Sequence, residues 1–257
     1  MDILVVSFAA LGASALTLFS GFGLGTLLMP VVALFLSIEL AIAITAVVHL
    51  ANNLFKAALF AKHAEGSVLL RFGIPAILFA LVGAATLSWL SALPPVLSYE
   101  LLGSVREVSP IKLAVGLLIL IFVMVELFSG FEGLSFDRKY LPVGGAISGF
   151  FGGVSGHQGA FRSMFLLKAG LTKEQFIGTG VLLAVFVDLS RLSFYGSSMF
   201  SQMDAIDWTL VASATLSAFA GVWIGARLVK KLTIQAIQLA VSGLLIMVSL
   251  GLMFGML

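Results

Sequence analysis

Residues 3–36 form an apolar run interrupted by Ser20-Gly-Phe-Gly-Leu-Gly25 and by Pro30. Residues 142–169 repeat that pattern, split this time at Gly152-Gly-Val-Ser-Gly-His-Gln-Gly159. As a single helix the first run would reach about 50 Å, far beyond the ~30 Å hydrocarbon core of a bilayer. Each run therefore has to break, and the closely spaced glycines mark where. Three apolar spans follow the first run, at 40–60, 72–92 and 111–130, and three follow the second, at 175–195, 208–228 and 234–254. Polar sequence separates them: Lys62, His63 and Glu65, then Pro94-Pro95 and a loop through Glu100, Arg106 and Glu107. The linker 131–141 carries Glu132, Asp137, Arg138 and Lys139. It divides a first transmembrane repeat, 1–130, from a second, 142–257.

The halves echo one another at a shift of 135, which places Ser20-Gly21 on Ser155-Gly156, Met29 on Met164 and Glu39 on Glu174. Ile42 then falls on Ile177 and Leu54 on Leu189. The rare polar positions match as well, Asn53 with Asp188 and Lys56 with Arg191. Further on the offset drifts to 138, where Ala80 and Gly83 resemble Ala218 and Gly221.

Composition sets the solvent. Sixty per cent (60%) of the 257 residues are hydrophobic and only 10% charged, with a mean hydropathy of +1.16. A soluble domain carries about 25% charged residues, so the pattern predicts an all-α integral membrane protein with the lipid bilayer as its surroundings. The 27 glycines suit close helix packing and broken helices. Cysteine is absent, which excludes disulfides and thiolate metal sites. The start, Met-Asp-Ile-Leu-Val-Val, lacks the positive n-region of a secretory signal, so the first apolar segment is expected to be retained. No basic stripe points to nucleic acid.

Charge placement discriminates between two topologies. With eight simple transmembrane helices and the N-terminus inside, Arg227, Lys230 and Lys231 fall outside while Asp204 and Asp207 fall inside, against the positive-inside tendency. Alternatively each broken run is a re-entrant hairpin that returns to its own side, and the N-terminus is outside. Lys62, Arg71, Arg138, Lys139, Lys168, Lys173, Arg227, Lys230 and Lys231 are then cytoplasmic, and only Arg106 and Lys112 are outside. The hairpin reading gives each repeat one broken hairpin plus three transmembrane helices. That odd number makes the two repeats inverted, with hairpin tips meeting near the mid-membrane, a recurring transporter design.

Non-helical backbone is tolerated in lipid only where it is buried in protein or lines a cavity. The helix N-termini after the breaks, near Leu24–Met29 and Gly159–Met164, would aim partial positive charge at that place. Candidate substrate-binding residues are Ser20, Gly21, Gly23 and Gly25 in the first break, and Ser155, Gly156, His157, Gln158 and Gly159 in the second. Asn52, Asn53 and Arg162 join them. Arg162 is either a substrate ligand or an anchor snorkelling to the cytoplasmic surface. Asp188 and Arg191, spaced i,i+3, neutralise each other as a structural pair or act as a gate, and Lys56 either snorkels or joins that coupling group. His49 reads as a core histidine, and Glu126 as an interfacial, structural residue.

The ionisable groups inside the membrane are Lys56, Arg162, Arg191, His49 and His157 against Asp188 and Glu126. A cation site would need carboxylates or a ring of carbonyls, so the inventory favours a small anionic substrate. No paired carboxylates, His-x-x-Glu-His cluster, Gly-x-Ser-x-Gly elbow or Walker motif is present, so no enzyme activity, cofactor or metal is expected.

At Ser20-Gly-Phe-Gly-Leu-Gly-Thr-Leu-Leu-Met-Pro30, followed by the Ala-rich helix Ile38–Lys56, the chain resembles the sulfite exporter TauE/SafE family. Ser155-Gly156…Gly159 and the helix ending Asp188–Arg191 are similar to that family's repeated pattern. The first break has fewer consecutive glycines than members often show, and the second has His157-Gln158 in place of small residues. The resemblance implies a multi-pass transporter of a bacterial-type inner cell membrane, without an ATPase of its own, for sulfite, organosulfonates or related anions. The expectation is thus a secondary transporter working by alternating access between the repeats. An anion channel is the alternative, with an intramembrane enzyme or a non-transporting scaffold behind it. Glycine-rich exposed helices make a homodimer reasonable.

Overall fold

A computed structural model of the chain describes residues 2–20, 24–101, 103–127, 135–200, 206–228 and 234–257. Among the described residues ten α-helices follow one another: α1 (Asp2–Ser20), α2 (Leu24–Val32), α3 (Ile38–Phe60), α4 (Gly66–Ser91), α5 (Pro110–Leu127), α6 (Leu141–Ser155), α7 (Gly159–Leu166), α8 (Lys173–Phe200), α9 (Trp208–Leu228) and α10 (Ile234–Met253). Their order repeats. Each half runs through a helix, a break, a short helix and three more helices. Within the described residues, Ile38–His63, Gly66–Ser91, Lys173–Phe194 and Trp208–Gly225 are long and apolar enough to cross a membrane, and Asp2–Ala15, Pro110–Met124 and Ser242–Met253 are shorter apolar helices. The chain is an all-α membrane protein in its bulk.

One element departs from that class. The loop expected through Glu100 and Arg106 is a two-stranded antiparallel hairpin, β1 (Leu97–Leu101) with β2 (Ser104–Val108), in which Leu97 faces Val108 and Tyr99 faces Arg106. Pro94-Pro95 cannot extend α4, and Gly103 at φ 76° supplies the left-handed residue that the tight turn needs. The Tyr99 hydroxyl donates to the Phe254 carbonyl at 2.5 Å, so this hairpin sits beside the C-terminal residues.

Both breaks turn the chain back on itself. Ahead of α6, the Phe136 amide donates to the Met164 carbonyl near the end of α7 at 3.2 Å, and the Phe136 and Phe165 rings stack at 4.5 Å. At the other end a Cβ on Gly152 would lie 3.0 Å from Gln158 Cβ, so α7 returns alongside α6. In the first half, Ala9, Gly12 and Ala13 of α1 line one cavity with Leu27 and Val31 of α2, again side by side. The return arms, nine residues in α2 and eight in α7, are shorter than their partners.

Helix packing exchanges the halves. On α6, a Cβ at Gly145, Gly149 or Gly153 would run into the carbonyl of Phe72, Ala76 or Ala80 of α4, and one at Gly83 of α4 into the Phe150 carbonyl. Hydrogen at those positions is what lets the two backbones touch. In the same way Gly221 and Gly225 of α9 press on the Leu11 and Ala15 carbonyls of α1. Each broken hairpin thus packs on a helix from the other half, while α3 and α8 face each other. One apolar core gathers Val6, Leu28, Val48, Ile119 and Val248, and a second gathers Phe72, Ala76, Phe165, Leu183 and Val187.

At one end of the bundle, Arg138 ahead of α6 donates to Ser67 Oγ at 2.7 Å and to the Ala169 carbonyl at 3.4 Å, and pairs with Glu65 at 3.5 Å. The Glu65 carboxylate caps α4 through the Val68 amide at 2.7 Å, and its own amide donates to Thr179 Oγ1 of α8 at 2.9 Å. These contacts gather the α3–α4 connection, the start of α6 and the start of α8 together.

Candidate functional site

Where α3 and α8 meet, apolar residues Val48 and Val187 flank a polar cluster on facing sides. On α3 the spacing of His49, Asn52, Asn53 and Lys56 puts all four on one stripe, and all four are buried. On α8 the matching stripe carries Asp188 and Arg191, 0% and 1% exposed.

Asp188 is the centre. His49 Nδ1 lies 2.6 Å from Oδ2, and Asn53 Nδ2 donates to the same oxygen at 3.1 Å. Arg191 donates to Oδ1 from Nε at 3.1 Å and from Nη2 at 2.8 Å, while Gln158 Nε2 reaches it at 3.3 Å. Five contacts thus converge on one carboxylate, which is how a charge persists inside an apolar bundle. Asn52 is held separately, its Oδ1 accepting from Ser14 Oγ of α1 at 3.1 Å.

The second break closes the cluster from one side. Gly156 takes φ 82° and its amide donates to the Gly152 carbonyl at 2.9 Å, ending α6. Only glycine fits, because a Cβ there would meet Arg191 Nη1 at 2.7 Å and the left-handed backbone strains any other residue. His157 Nδ1 stands 2.9 Å from Ser155 Oγ and 3.2 Å from its carbonyl, and its ring stacks on Phe122 of α5 at 5.2 Å. Ser148 Oγ donates to the Gln158 carbonyl at 3.0 Å. No side chain caps the N-terminus of α7, whose first amides lack intrahelical partners.

The first break comes to the same place. A Cβ on Gly25, in the first turn of α2, would be 3.6 Å from the Gly156 carbonyl, 3.7 Å from Thr45 Cγ2 and 3.9 Å from His49 Cδ2. Gly21 and Gly23 lie outside the described residues, as do the side chains of Ser20 and Glu126. The structure therefore brings together Gly25, Asn53, Ser155, Gly156, His157, Gln158, Asp188 and Arg191, with Asn52 one turn aside.

Lys56 and Arg162 stand towards the Glu65–Arg138 end. Lys56 is 5% exposed, so most of the side chain is packed inside rather than extended to the surface as the snorkelling alternative expects. Arg162 has Nη1 buried without a hydrogen-bond partner. Neither side chain has an ion pair or hydrogen bond among the described residues. His157 Nε2, Gln158 Oε1 and Asn52 Nδ2 are likewise buried without partners. Polar atoms in this state are exceptional in folded proteins, and all of these but the Arg162 nitrogen belong to residues of, or next to, the Asp188 cluster.

Sequence reasoning passed over His49 as a core residue, whereas it makes the shortest polar contact of the cluster. The signal that could have found it was its i,i+4 step to Asn53. Ser14, Thr45 and Ser148 were missed too, each being a small hydroxyl among apolar neighbours in sequence. Among the described residues no group of three or more His, Cys, Asp or Glu could hold a metal ion.

A family model described as Sulfite exporter TauE/SafE matches residues 6–252 of the chain. No curated protein and no solved structure matched.

Proposed function

Since the chain belongs to the sulfite exporter TauE/SafE family, a membrane-transport family, we propose that it is a secondary transporter for a small sulfur-containing anion, sulfite or an organosulfonate. The observation that carries this reading is the buried charge inventory. Among the described residues Asp188 is the one buried carboxylate, against the buried cations Lys56 and Arg191, with the half-buried Arg162 adding a buried Nη1. Arg191 and Asp188 offset each other, which leaves positive charge and unpartnered donors facing inward. Such a site attracts anions and repels cations.

In this reading the anion binds where the two breaks meet. The free amides of α7 and the backbone around Gly25 and Gly156 receive its oxygens, with Ser20, Gly21, Gly23, Ser155, His157, Gln158, Gly159, Asn52 and Asn53 completing the lining. Lys56, Asp188 and Arg191 couple binding to movement, because the Asp188 cluster ties α3 of one repeat to α8 of the other. Loosening those contacts separates the halves, as alternating access requires. A closed polar cluster between the halves favours a carrier over a channel.

Two sets of contacts support inverted repeats with re-entrant hairpins in a multi-pass protein, and the family favours placing it in the inner membrane. Glu65, Arg138, Ala169 and Thr179 meet at one end, and Tyr99 meets Phe254 at the other. Eight simple crossings would put residues 65 and 169 on opposite sides of the bilayer, and residues 99 and 254 likewise.

The test is flux of sulfite and sulfonates into proteoliposomes. Saturable uptake that depends on an imposed gradient is the expected result. Non-saturating, gradient-indifferent conductance would favour the channel, and flux silence with every anion would overturn transport altogether.

A further inference from the structure

His49 reaches from the Asp188 cluster to the first break. Its Nδ1 lies 2.6 Å from Asp188 Oδ2. The other edge of the ring turns to the break: a Cβ on Gly25 would stand 3.9 Å from Cδ2, the ring carbon bonded to Nε2, and 3.6 Å from the Gly156 carbonyl. One nitrogen is thus committed to the carboxylate, while the edge that carries the other faces the place where the two breaks meet.

The contacts also say where the proton of the ring sits. Nδ1 donates to the carboxylate, which leaves Nε2 with its lone pair. Asn53 Nδ2, itself donating to Asp188, stands 3.3 Å from that nitrogen. An amide N–H is well placed there against a lone pair and badly placed against a second N–H.

Charge points the same way. Asp188 and Arg191 cancel each other, so with His49 neutral the cluster carries no net charge. A proton on Nε2 would turn it into a buried cation, which is costly. Of the other groups near the ring, Lys56 lies two turns along α3 on the same stripe, and beyond the Gly156 carbonyl the second break adds His157, held at Ser155. The helices α2 and α9 also pack on α3 and bring no titratable side chain among the described residues.

An anion at the breaks removes that cost. It sets negative charge beside the Nε2 edge, and the imidazolium offers it a charged N–H in return. Each ligand then favours the other, and such coupling is reciprocal.

We propose that His49 is the proton-binding residue of this transporter. It takes one proton from solvent onto Nε2 as the anion binds at the breaks and returns it as the anion leaves, so anion and proton cross together. One N–H bond forms at Nε2, Nδ1 keeps its proton, and Asp188 stays ionised throughout. This rests on the anion-transporter reading and adds the coupling ion to it.

The experiment counts protons. Methanesulfonate and sulfate, neither of which titrates near neutral pH, are bound to the purified full chain in detergent. Calorimetry in two buffers of different ionisation enthalpy then gives the protons taken up per anion. About one is expected, with affinity falling about 10-fold for each unit of pH rise through the window of uptake. His49→Gln keeps a donor for Asp188 but cannot titrate, so its anion binding should show no buffer dependence and a flat pH profile. If that variant does not fold, His63→Gln with His157→Gln leaves His49 as the last histidine of the chain, and uptake should persist there. Zero protons per anion in the wild-type chain would overturn the proton site while leaving anion transport standing. So would uptake that survives His49→Gln or that is lost in the double variant. Failure of both probes to bind a folded chain would overturn the anion reading with it.

Discussion

Asn53 and Asp188, which align when the sequence is shifted by 135, meet in the structure, and the first donates a hydrogen bond to the second at 3.1 Å. In the proposed two-repeat reading, such a contact between equivalent positions places the relating axis between them. The substitution of carboxylate for amide at this one place makes the contact a charged one. It also gives Arg191 and His49 their partner.

Asp188→Ala is accordingly expected to lower stability by about 3–5 kcal/mol, the cost of leaving a buried charge such as Arg191 without its partner. The loss would be read as a fall in the thermal midpoint in detergent. The double variant Asp188→Leu with Arg191→Met, which removes both charges, should recover much of it. A double variant as unstable as the single one would mean that the loss comes from the His49 and Asn53 contacts between α3 and α8 rather than from the unpaired charge of Arg191.

Gln158→Ala and His157→Ala should each weaken anion binding, by about 3- to 10-fold for the loss of one hydrogen-bonding group. The fold should survive with a modest loss of stability, because each variant gives up few contacts, Gln158 Nε2 on Asp188 or His157 Nδ1 on Ser155 and its ring on Phe122, while His157 Nε2 and Gln158 Oε1 have no partner to lose. Calorimetry with sulfite is the check. Unchanged affinity in both variants would remove the second break from the site.

The turn at Gly156 is testable without chemistry in the site. Since the chain has no cysteine, Phe136→Cys with Met164→Cys introduces a lone pair at two residues whose backbones are bonded at 3.2 Å. Oxidation should link them readily, that spacing being within disulfide reach. A pair that stays reduced under conditions that oxidise a surface control would mean α7 does not fold back along α6.

Sidedness follows from the same cysteine-free background. Single cysteines at Lys62 and Lys173 should react with a membrane-impermeant thiol reagent from one face of oriented vesicles. Those at Ser98 and Met256 should react from the other. Lys62 and Lys173 reacting from opposite faces would restore eight simple crossings.

Gly149→Val should be among the most disruptive single changes in the protein. Its Cβ would enter the space of the Ala76 carbonyl, which belongs to backbone and cannot rotate away. Overpacking costs typically about 1–3 kcal/mol where side chains can yield, and more where they cannot. Expression and detergent stability would report it, with Gly12→Val, at an open position, as the control.

How far the sequence carried these conclusions depends on the residue. The breaks were legible because glycine, serine and proline interrupt runs too long to cross a bilayer once. Asn53 and Asp188 were legible because polar residues are rare enough in such a chain for a shift of 135 to align them. His49 was not, since its partner lies 139 residues away on another helix and no local pattern announces it. Lys56 misled for a related reason: a lysine near a helix end can extend to the surface, and only the packing of α3 against α8 leaves this one 5% exposed. The β1–β2 hairpin hid because Glu100, Arg106 and Glu107 look like loop chemistry, while its pairing runs through the backbone.

The exchange of helix partners between the halves bears on how the chain is made. Gly221 and Gly225, the surface on which α1 rests, leave the ribosome only after nearly all of the protein has been synthesised. Until then the first hairpin has entered the membrane without its seat, and α4 waits similarly for Gly145, Gly149 and Gly153. The halves therefore cannot mature one after the other. A severed first half would be held in a provisional state, prey to membrane quality control, and would be completed only when the second half arrives.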